Sequence, residues 1–170
     1  MIFLGIGSNL SSSIGNRFEN INLALSFLKS AGIKVIKSSS FYETLAIPNT
    51  NDPKFINIVT SIQTDLSPID LMTVLIFIEE KLERKRNKKN DPRTCDIDII
   101  DYNSEILNLR FKGLNLEIPH KELNYRNFVL IPLKEICPNW KHPKTGEIIN
   151  TLIQQLSEDD RKSILKTKES

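Results

Sequence analysis

Cysteines, long apolar runs and an excess of one charge are all scarce in this 170-residue sequence. Its two cysteines, Cys95 and Cys137, lie far apart without C-x-x-C spacing, which argues against a disulfide framework or a zinc site. The longest apolar stretch, 71–78, is far shorter than the ~20 residues that span a bilayer, and the first residues lack the basic flank of a signal peptide. We therefore expect a cytoplasmic protein with no membrane partner.

The familiar nucleotide-binding motifs are also missing. The sequence contains neither the Walker A pattern G-x-x-x-x-G-K-[ST] nor the kinase pattern G-x-G-x-x-G, and the Gly5-Ile6-Gly7 segment is too short to be either. The net charge of +2 is too small to predict a nucleic-acid partner. Any nucleotide site must use another architecture.

The length and composition predict one globular domain. The chain has 39% hydrophobic and 26% charged residues, which is ordinary for a globular protein of a size that can bury a core. We predict a single domain over residues 1–160, followed by a polar, frayed tail over residues 161–170.

Hydrophobic periodicity predicts the order of strands and helices. The predicted strands are 1–6, 33–42, 55–64 and 96–102. One predicted helix covers 18–28 and stops before Gly32, and a second begins at Ser67-Pro68. The order β-α-β-β-α-β predicts an α+β protein with a ferredoxin-like antiparallel core, and the last third of the chain should add a small hairpin and short helices.

Two aspartates stand on the fourth predicted strand. Asp96 and Asp98 should project from one face, with Cβ atoms roughly 7 Å apart, while Ile97 and Ile99 point into the core. Two such carboxylates repel each other unless cations bridge them, and hard Mg²⁺ ions prefer oxygen ligands. Two ions ~3.5–4 Å apart could clamp the attacking and leaving oxygens of a phosphoryl transfer. Taken alone, however, this pattern is more often the exposed face of an edge strand.

Basic residues surround the acidic pair. The segment 84–93 holds six of them: Arg84, Lys85, Arg86, Lys88, Lys89 and Arg93. Such a run is usually a solvated loop, but guanidinium groups also match phosphate oxygens in a bidentate manner. An acidic metal site flanked by arginines supplies the charge neutralisation that transfer of a phosphoryl group needs. The combination suits a polyphosphate substrate.

The acidic pair belongs to a series of short blocks that run in order through residues 1–140. The blocks are Gly7-Ser8-Asn9-Leu10, Ser39–Thr44, Phe55-Ile56-Asn57, Ile78-Glu79, Arg84-Lys85-Arg86, Pro92–Ile99, Ile118-Pro119-His120 and Arg126–Leu130. In these blocks the sequence resembles the 6-hydroxymethyl-7,8-dihydropterin pyrophosphokinase family of the folate pathway. The Pro-Arg-Thr-x-Asp-x-Asp and Pro-His-x5-Arg-x-Phe blocks are the most specific.

This resemblance implies a ferredoxin-like α+β fold, in agreement with the strand order above. It implies that the β,γ-diphosphate of ATP passes to the hydroxymethyl oxygen of the pterin, with release of AMP. By matching position, Asp96 and Asp98 would bind two Mg²⁺ ions and Arg84 and Arg93 would clamp phosphates, so these four are the expected catalytic residues. The expected partners are ATP and the hydroxymethyldihydropterin, bound by a monomer.

The resemblance also assigns binding residues. Those expected to contact ATP are Arg84, Arg86, Arg93, Ile99, His120 and Arg126. Those expected at the pterin are Thr44, Leu45, Ile47, Phe55, Asn57 and Phe128. Phe128 would stack on the pterin, with Phe55 near the opposite side, and Asn57 would read its polar edge.

Structural roles are the alternative for several of these residues. Phe55 and Phe128 could be core aromatics, and His120 could be a surface histidine. Asn57 is harder to explain in this way, because asparagine is unfavourable within a strand unless its side chain has a partner.

The sequence departs from the family pattern at several positions. Asn90 stands near the place of an aromatic that usually helps to close a loop over the pterin, and Leu45 stands where proline is common. Lys121 replaces a frequent aromatic, and Glu117 replaces a small hydroxyl residue that often meets the adenosine. These changes affect the expected adenosine contacts more than the reaction.

A nucleic-acid-binding module on the same topology is the main alternative. It would stack bases on sheet aromatics and hold phosphates with the basic loop. Against it, an RNP1-type segment is missing from the third strand, and the paired aspartates would repel a nucleic-acid backbone. A plain interaction domain would leave the acids and arginines unexplained.

Overall fold

The computed structural model describes residues 1–85, 91–111 and 113–169. Its strands are β1 (Ile2–Ser8), β2 (Lys34–Ser38), β3 (Phe41–Thr44), β4 (Phe55–Gln63), β5 (Asp96–Tyr102), β6 (Leu107–Phe111), β7 (Leu114–Ile118) and β8 (Leu165–Thr167). Its helices are α1 (Arg17–Ser30), α2 (Pro68–Lys81), α3 (Asn127–Ile136), α4 (Ile149–Gln155) and α5 (Glu158–Lys162), with a 3-10 helix, η1, at Leu123–Tyr125.

The two predicted helices begin at side-chain caps. The side chain of Asn16 accepts hydrogen bonds from the backbone of Phe18 and Glu19, and the Glu19 carboxylate accepts one from the Asn16 backbone, which is a capping box. The Ser67 hydroxyl caps α2, with Pro68 in the first turn. Both predicted helix starts are therefore confirmed within one residue.

One antiparallel sheet carries the site. Its strand order is β5-β1-β4-β3-β8, with β2 also paired to β4, and β6 and β7 form a separate hairpin. Strands β1 and β5 flank each other as the first and last strands of a βαββαβ unit should. The predicted α+β fold, antiparallel sheet and C-terminal hairpin are confirmed.

The second predicted strand, 33–42, is in fact two strands. β2 and β3 both pair with β4, but the register shifts between Val35 and Lys37. Ser39 lies at the break between the strands, where its hydroxyl accepts a hydrogen bond from the backbone N–H of Val59. This side-chain bond replaces a ladder bond, so the strand divides where its composition alone gave no sign of it.

The predicted frayed tail is wrong over Leu165–Thr167. These residues form β8, which pairs with β3 in the register Phe41↔Thr167 to Glu43↔Leu165. The polar composition of the tail as a whole suggested fraying, but the backbone groups along the edge of β3 offer a ladder that does not depend on side-chain polarity. That residues 1–160 belong to a single domain stays a prediction.

The core lies on both faces of the sheet. One cluster joins α1 and α2 to the face that carries Ile56, Ile58, Ile97 and Ile99. The other joins α3 and α4 to the opposite face, through residues that include Val59. The predicted alternation of faces along the fourth predicted strand is thereby confirmed, because Ile97 and Ile99 lie in the first cluster. Within the described ranges, no helix is both long and apolar enough to cross a membrane.

Candidate active site

The acidic pair stands on β5, on the sheet face that α3 and α4 cover only in part. Ile100, on the same face of this strand, is buried beneath those helices, whereas Asp96 and Asp98 keep 21% and 35% of their side-chain surface exposed. The alternation of a strand explains this, because residues two apart share a face. Both carboxylates therefore point into the open part of this face.

Each acid is held by arginine. Asp96 forms ion pairs with Arg84 and with Nη2 of Arg93, the latter at 2.9 Å. Asp98 accepts a hydrogen bond from Nη1 of Arg126 at 2.8 Å. Three cations thus converge on two anions, and they come from the end of α2, from the segment before β5 and from the start of α3.

A buried glutamate on α2 contacts both Arg84 and the strand that carries the acidic pair. Glu79 is 2% exposed, and its Oε1 accepts hydrogen bonds from Arg84 and from the backbone N–H of Ile97, the latter at 2.7 Å. Ile97 lies between the two acids, so one carboxylate holds both the strand that carries them and the arginine that contacts Asp96. A buried charge of this kind requires such partners.

The charges set the protonation of the pair. Burial acts to raise the pKa of Asp96, but Arg93 and Arg84 outweigh it and hold that pKa below its usual value. Burial and the negative charge of Asp96 together raise the pKa of Asp98, and His120 and Arg126 offset only part of this rise. Asp96 is therefore stabilised in its ionised form, whereas ionisation of Asp98 would become more favourable if further positive charge were added beside it.

His120 lies beside Asp98 as a neutral donor. Burial lowers the pKa of His120 below 6.5, with the nearby Arg126 acting in the same direction. Its Nδ1 accepts a hydrogen bond from the backbone N–H of Glu122, so in the neutral ring Nε2 carries the proton. Nε2 lies 3.9 Å from Oδ2 of Asp98. The ring can therefore donate a hydrogen bond to an anion at the acidic pair.

Two glycines of β1 form the floor between the polar residues. Gly7 pairs with Asn57 on β4 and with Asp96 on β5, and Gly5 pairs with Asp98. A Cβ on Gly7 would come within 2.8 Å of Oδ1 of Asn57. Glycine in a strand interior often marks a place where a ligand approaches the backbone. The sequence analysis missed this floor, although two glycines in a buried strand were the signal for it.

The cavity above this floor, which we call the first cavity, has a volume of about 700 Å³. It contains all six residues expected at the pterin: Thr44, Leu45, Ile47, Phe55, Asn57 and Phe128. Asn57 is buried and donates a hydrogen bond to the Thr44 hydroxyl at 2.9 Å. Its size and its mixed apolar and polar lining are typical of a small-molecule site.

A second cavity of about 570 Å³ meets the first at the acidic pair. Both are lined by Asp96, Asp98, His120 and Lys121. The second also contains Arg84, Ile99 and the hairpin residues Asn108, Arg110, Asn115 and Glu117. The sequence analysis assigned no role to Asn108, Arg110 or Asn115, because only the folded hairpin brings them to the cavity.

The loop after β1 anchors the arginine before β5. The Asn9 side chain accepts a hydrogen bond from the Arg93 backbone N–H at 2.7 Å and donates one to the Pro53 carbonyl at 3.0 Å. The backbone N–H groups of Asn9 and Leu10 both donate to the Arg93 carbonyl. Asn9 and Leu10 therefore fix the backbone position of Arg93.

The structure brings the sequence-predicted residues together around the acidic pair, with one exception: Arg86 lies outside the described residues, as does Asn90. Among the described residues, no group of three or more His, Cys, Asp or Glu side chains could hold a metal ion. The described residues offer the carboxylates of Asp96 and Asp98 where the two cavities meet. That donor set suits Mg²⁺, which is usually bound through one or two carboxylates together with water and substrate phosphates.

Comparison of the sequence with known proteins finds one family in both the family model and the individual relatives. Residues 3–138 match the family model described as 7,8-dihydro-6-hydroxymethylpterin-pyrophosphokinase. A 2-amino-4-hydroxy-6-hydroxymethyldihydropteridine pyrophosphokinase of Synechocystis is 38% identical over 90% of this chain and 74% of its own. The Haemophilus influenzae protein of the same name is 31% identical over 92% of each chain.

Longer proteins contain a similar region. The chain is 35% identical to the folic acid synthesis protein fol1 of Pneumocystis carinii but spans only 21% of it. Among solved structures, a Plasmodium falciparum HPPK-DHPS triple mutant with pteroate matches with a TM-score of 0.73 over 97% of this chain and 46% of that one. At 15% identity this match concerns the fold alone.

Proposed function

We propose a mechanism from one premise: this chain belongs to the 7,8-dihydro-6-hydroxymethylpterin-pyrophosphokinase family. Members of the family act in folate biosynthesis with ATP as co-substrate. The hydroxymethyl oxygen of the pterin attacks the β-phosphorus of ATP, the bond from that phosphorus to the α-phosphate oxygen breaks, and AMP leaves. The hydroxyl proton passes to solvent. The comparisons do not support the nucleic-acid-binding alternative.

The junction of the two cavities supports placing this reaction at the acidic pair. Asp96 and Asp98 line both cavities, so a group bound in one cavity could meet a group bound in the other beside these two acids. We assign the pterin to the first cavity and ATP to the second. The proposal depends on one observation, that Asp96 and Asp98 line both cavities.

Asp96 and Asp98 would hold two Mg²⁺ ions. When bound, these ions would supply the charge that neutralises the triphosphate and supports the attacking and leaving oxygens. The opposite pKa directions of the two acids favour this assignment, because Asp98 gains when positive charge is added beside it.

When ATP binds, the three arginines that contact the acids would bind its phosphates instead. They are Arg84, Arg93 and Arg126. Their guanidinium groups already converge on the place where phosphates would lie, and Nε of Arg93 is buried without a hydrogen-bond partner among the described residues. A phosphate oxygen would satisfy that donor. Arg86 belongs to this proposal through the resemblance alone.

His120 and Ile99 would contact ATP from either side of the acids. His120 would donate from Nε2 to a phosphate oxygen, and Ile99 lines the second cavity. Because His120 holds its proton on Nε2, it is suited to donate rather than to remove the proton of the pterin alcohol.

The first cavity would orient the pterin. Asn57, Thr44 and the segment Leu45–Ile47 offer polar groups for the edge of the ring, and Phe55 and Phe128 offer apolar faces. A buried asparagine with one amide hydrogen bond to Thr44 keeps its oxygen available as an acceptor. Such fixed polar groups give orientation in an otherwise apolar site.

The test is to mix the protein with ATP, Mg²⁺ and the reduced pterin and to identify the nucleotide product. The proposal predicts AMP and pterin diphosphate in equal amounts and no product after chelation of divalent cations. ADP would indicate ordinary kinase chemistry, and the absence of any nucleotide product would argue for a binding protein. We further propose a cytoplasmic monomer, which light scattering of the purified protein and imaging of a tagged chain would check.

A further inference from the structure

Tyr125 is an exposed aromatic residue that lines the first cavity. It is 82% exposed, whereas the other two tyrosines, Tyr42 and Tyr102, are each only 8% exposed. Tyr125 lines the same cavity as Phe128. A large ring that is both exposed and part of a cavity wall lies at the rim of that cavity.

The backbone on both sides of Tyr125 is fixed. Leu123, at the start of η1, is 1% exposed in the core cluster of α3 and α4, and Arg126 is bound to Asp98. The N–H of Tyr125 donates to the Glu122 carbonyl at 3.1 Å, and that of Arg126 donates to the Leu123 carbonyl at 3.2 Å. The ring is therefore displayed by a rigid turn, which lowers the entropy cost of using it in binding.

Other apolar groups stand at the same cavity. Leu45 and Ile47, which come from the segment after β3, are 42% and 71% exposed and line it too. Inside, a guanidinium lies over each phenylalanine ring: Arg93 over Phe55 at 5.2 Å and Arg126 over Phe128 at 5.6 Å. The first cavity thus has aromatic rings within it and partly exposed apolar side chains among its lining residues, which a bound flat heterocycle would cover.

We propose that Tyr125 contacts the bound pterin from the rim of the first cavity and covers it from solvent. The inference rests on the assignment of this cavity to the pterin under the proposed function. With the two faces of the pterin assigned to Phe55 and Phe128, contact of the phenol with the remaining exposed edge needs the ring and not the hydroxyl. Tyr125 is therefore a determinant of pterin affinity, with no part in binding ATP.

Substitution tests this role. Tyr125→Ala should raise the KM for the pterin at least about fivefold, because it removes the aromatic surface that would cover the ligand, and should leave the KM for ATP within about twofold. Tyr125→Phe keeps the ring and should match the parent protein. Phe77→Ala is the control, because Phe77 is another exposed aromatic, on α2, and it lines neither cavity.

Chemical modification tests it without any substitution. Tetranitromethane nitrates exposed phenols, so peptide mapping should find Tyr125 modified and Tyr42 and Tyr102 largely spared. Pterin should protect Tyr125, and ATP alone should not. Pterin affinity is measured in parallel by fluorescence titration, which does not depend on turnover.

The outcomes separate the two proposals. If AMP forms but Tyr125→Ala leaves pterin affinity unchanged, the inference is wrong while the proposed function stands. If no AMP forms, the proposed function fails, and the fluorescence titration still shows whether Tyr125 contributes to pterin affinity. Pterin that does not bind, or that leaves nitration of Tyr125 unchanged, overturns the inference.

Discussion

The guanidinium of Arg126 lies between Asp98 and the ring of Phe128. Its Nη1 is 2.8 Å from Oδ2 of Asp98, and its Cζ is 5.6 Å from the centre of the ring. Arg93 makes the equivalent pair of contacts with Asp96 and Phe55. Each acid is therefore joined through an arginine to one aromatic ring of the first cavity.

This relationship predicts competition between arginines and cations for the acids. Arg126→Met should strengthen binding of Mn²⁺ in the absence of nucleotide, because it removes the positive charge that occupies Asp98. The same change should weaken ATP binding about tenfold or more, through loss of a charged phosphate contact. Mn²⁺ binding is measured by electron paramagnetic resonance and ATP binding by calorimetry. An unchanged Mn²⁺ affinity would contradict the competition, and the exposed Arg161→Met on α5 is the matched control.

The acids themselves should be essential for turnover and not for folding. Asp96→Asn or Asp98→Asn should lower kcat by on the order of 10²–10³, because each removes an anion that would hold Mg²⁺ against the phosphates. Circular dichroism should show an unchanged fold. Asp65→Asn, at an exposed position before α2, is the control. Substantial activity in either site variant would refute the two-metal proposal.

The floor of the first cavity should tolerate no side chain at Gly7. A Cβ there would lie 2.8 Å from Oδ1 of Asn57, so Gly7→Ala should displace the amide and raise the KM for the pterin about fivefold or more. In the Gly5→Ala variant the new Cβ would lie 3.2 Å from Cδ1 of Ile100, at the end of a side chain that can shift, so its effect should be smaller. Steady-state kinetics of both variants make the comparison. Equal effects on both would show that the strand, not Asn57, is disturbed.

The raised pKa of Tyr42 predicts that the folded protein loses stability at alkaline pH. Burial and a hydrogen bond to Glu135 raise the pKa of Tyr42 from 10.0 to about 12. Since the folded pKa is above the unfolded one, this contribution is complete below pH 10 and is lost as the pH rises toward 12. Tyr42→Phe should lower the free energy of unfolding at neutral pH by about 1.5 kcal/mol and should flatten the alkaline decline.

Urea denaturation at several pH values checks this prediction. Glu135→Gln keeps an acceptor for the Tyr42 hydroxyl and should show a smaller loss at neutral pH. A decline between pH 10 and 12 that is equally steep in Tyr42→Phe would assign it to other groups.

Asn127 should anchor the C-terminal segment to the site. Its Nδ2 donates to the Asp160 carbonyl at 2.6 Å and to the Ser163 hydroxyl at 3.0 Å, while its neighbours Arg126 and Phe128 line the first cavity. Asn127→Ala should destabilise the protein by about 1–2 kcal/mol. Hydrogen exchange should quicken in residues 158–167. Ser163→Ala removes only one of the two acceptors and should have the smaller effect; no change in exchange for Asn127→Ala would contradict the anchor.

Local patterns alone were sufficient to predict the shared face of Asp96 and Asp98 and the start of α2. Alternation placed Asp96 and Asp98 on one face of a strand, and Ser67-Pro68 marked the start of α2, because strand period and helix caps depend on neighbouring residues. The division of 33–42 and the pairing of β8 depended instead on partners far away in the chain. Their hydrogen bonds come from β4 and β3, which local composition does not describe.

The sequence by itself determined the family, the α+β class and which acids, arginines and aromatic residues are present, since these follow from short blocks of residues. Only the tertiary structure decided how they meet: Glu79 bound to the backbone between the acids, glycines opposite Asn57 and Asp96, and Tyr125 at the cavity rim. These contacts join residues that the chain keeps tens of positions apart. The packing of helices on the two faces of the sheet brings them together, and no local pattern specifies that packing.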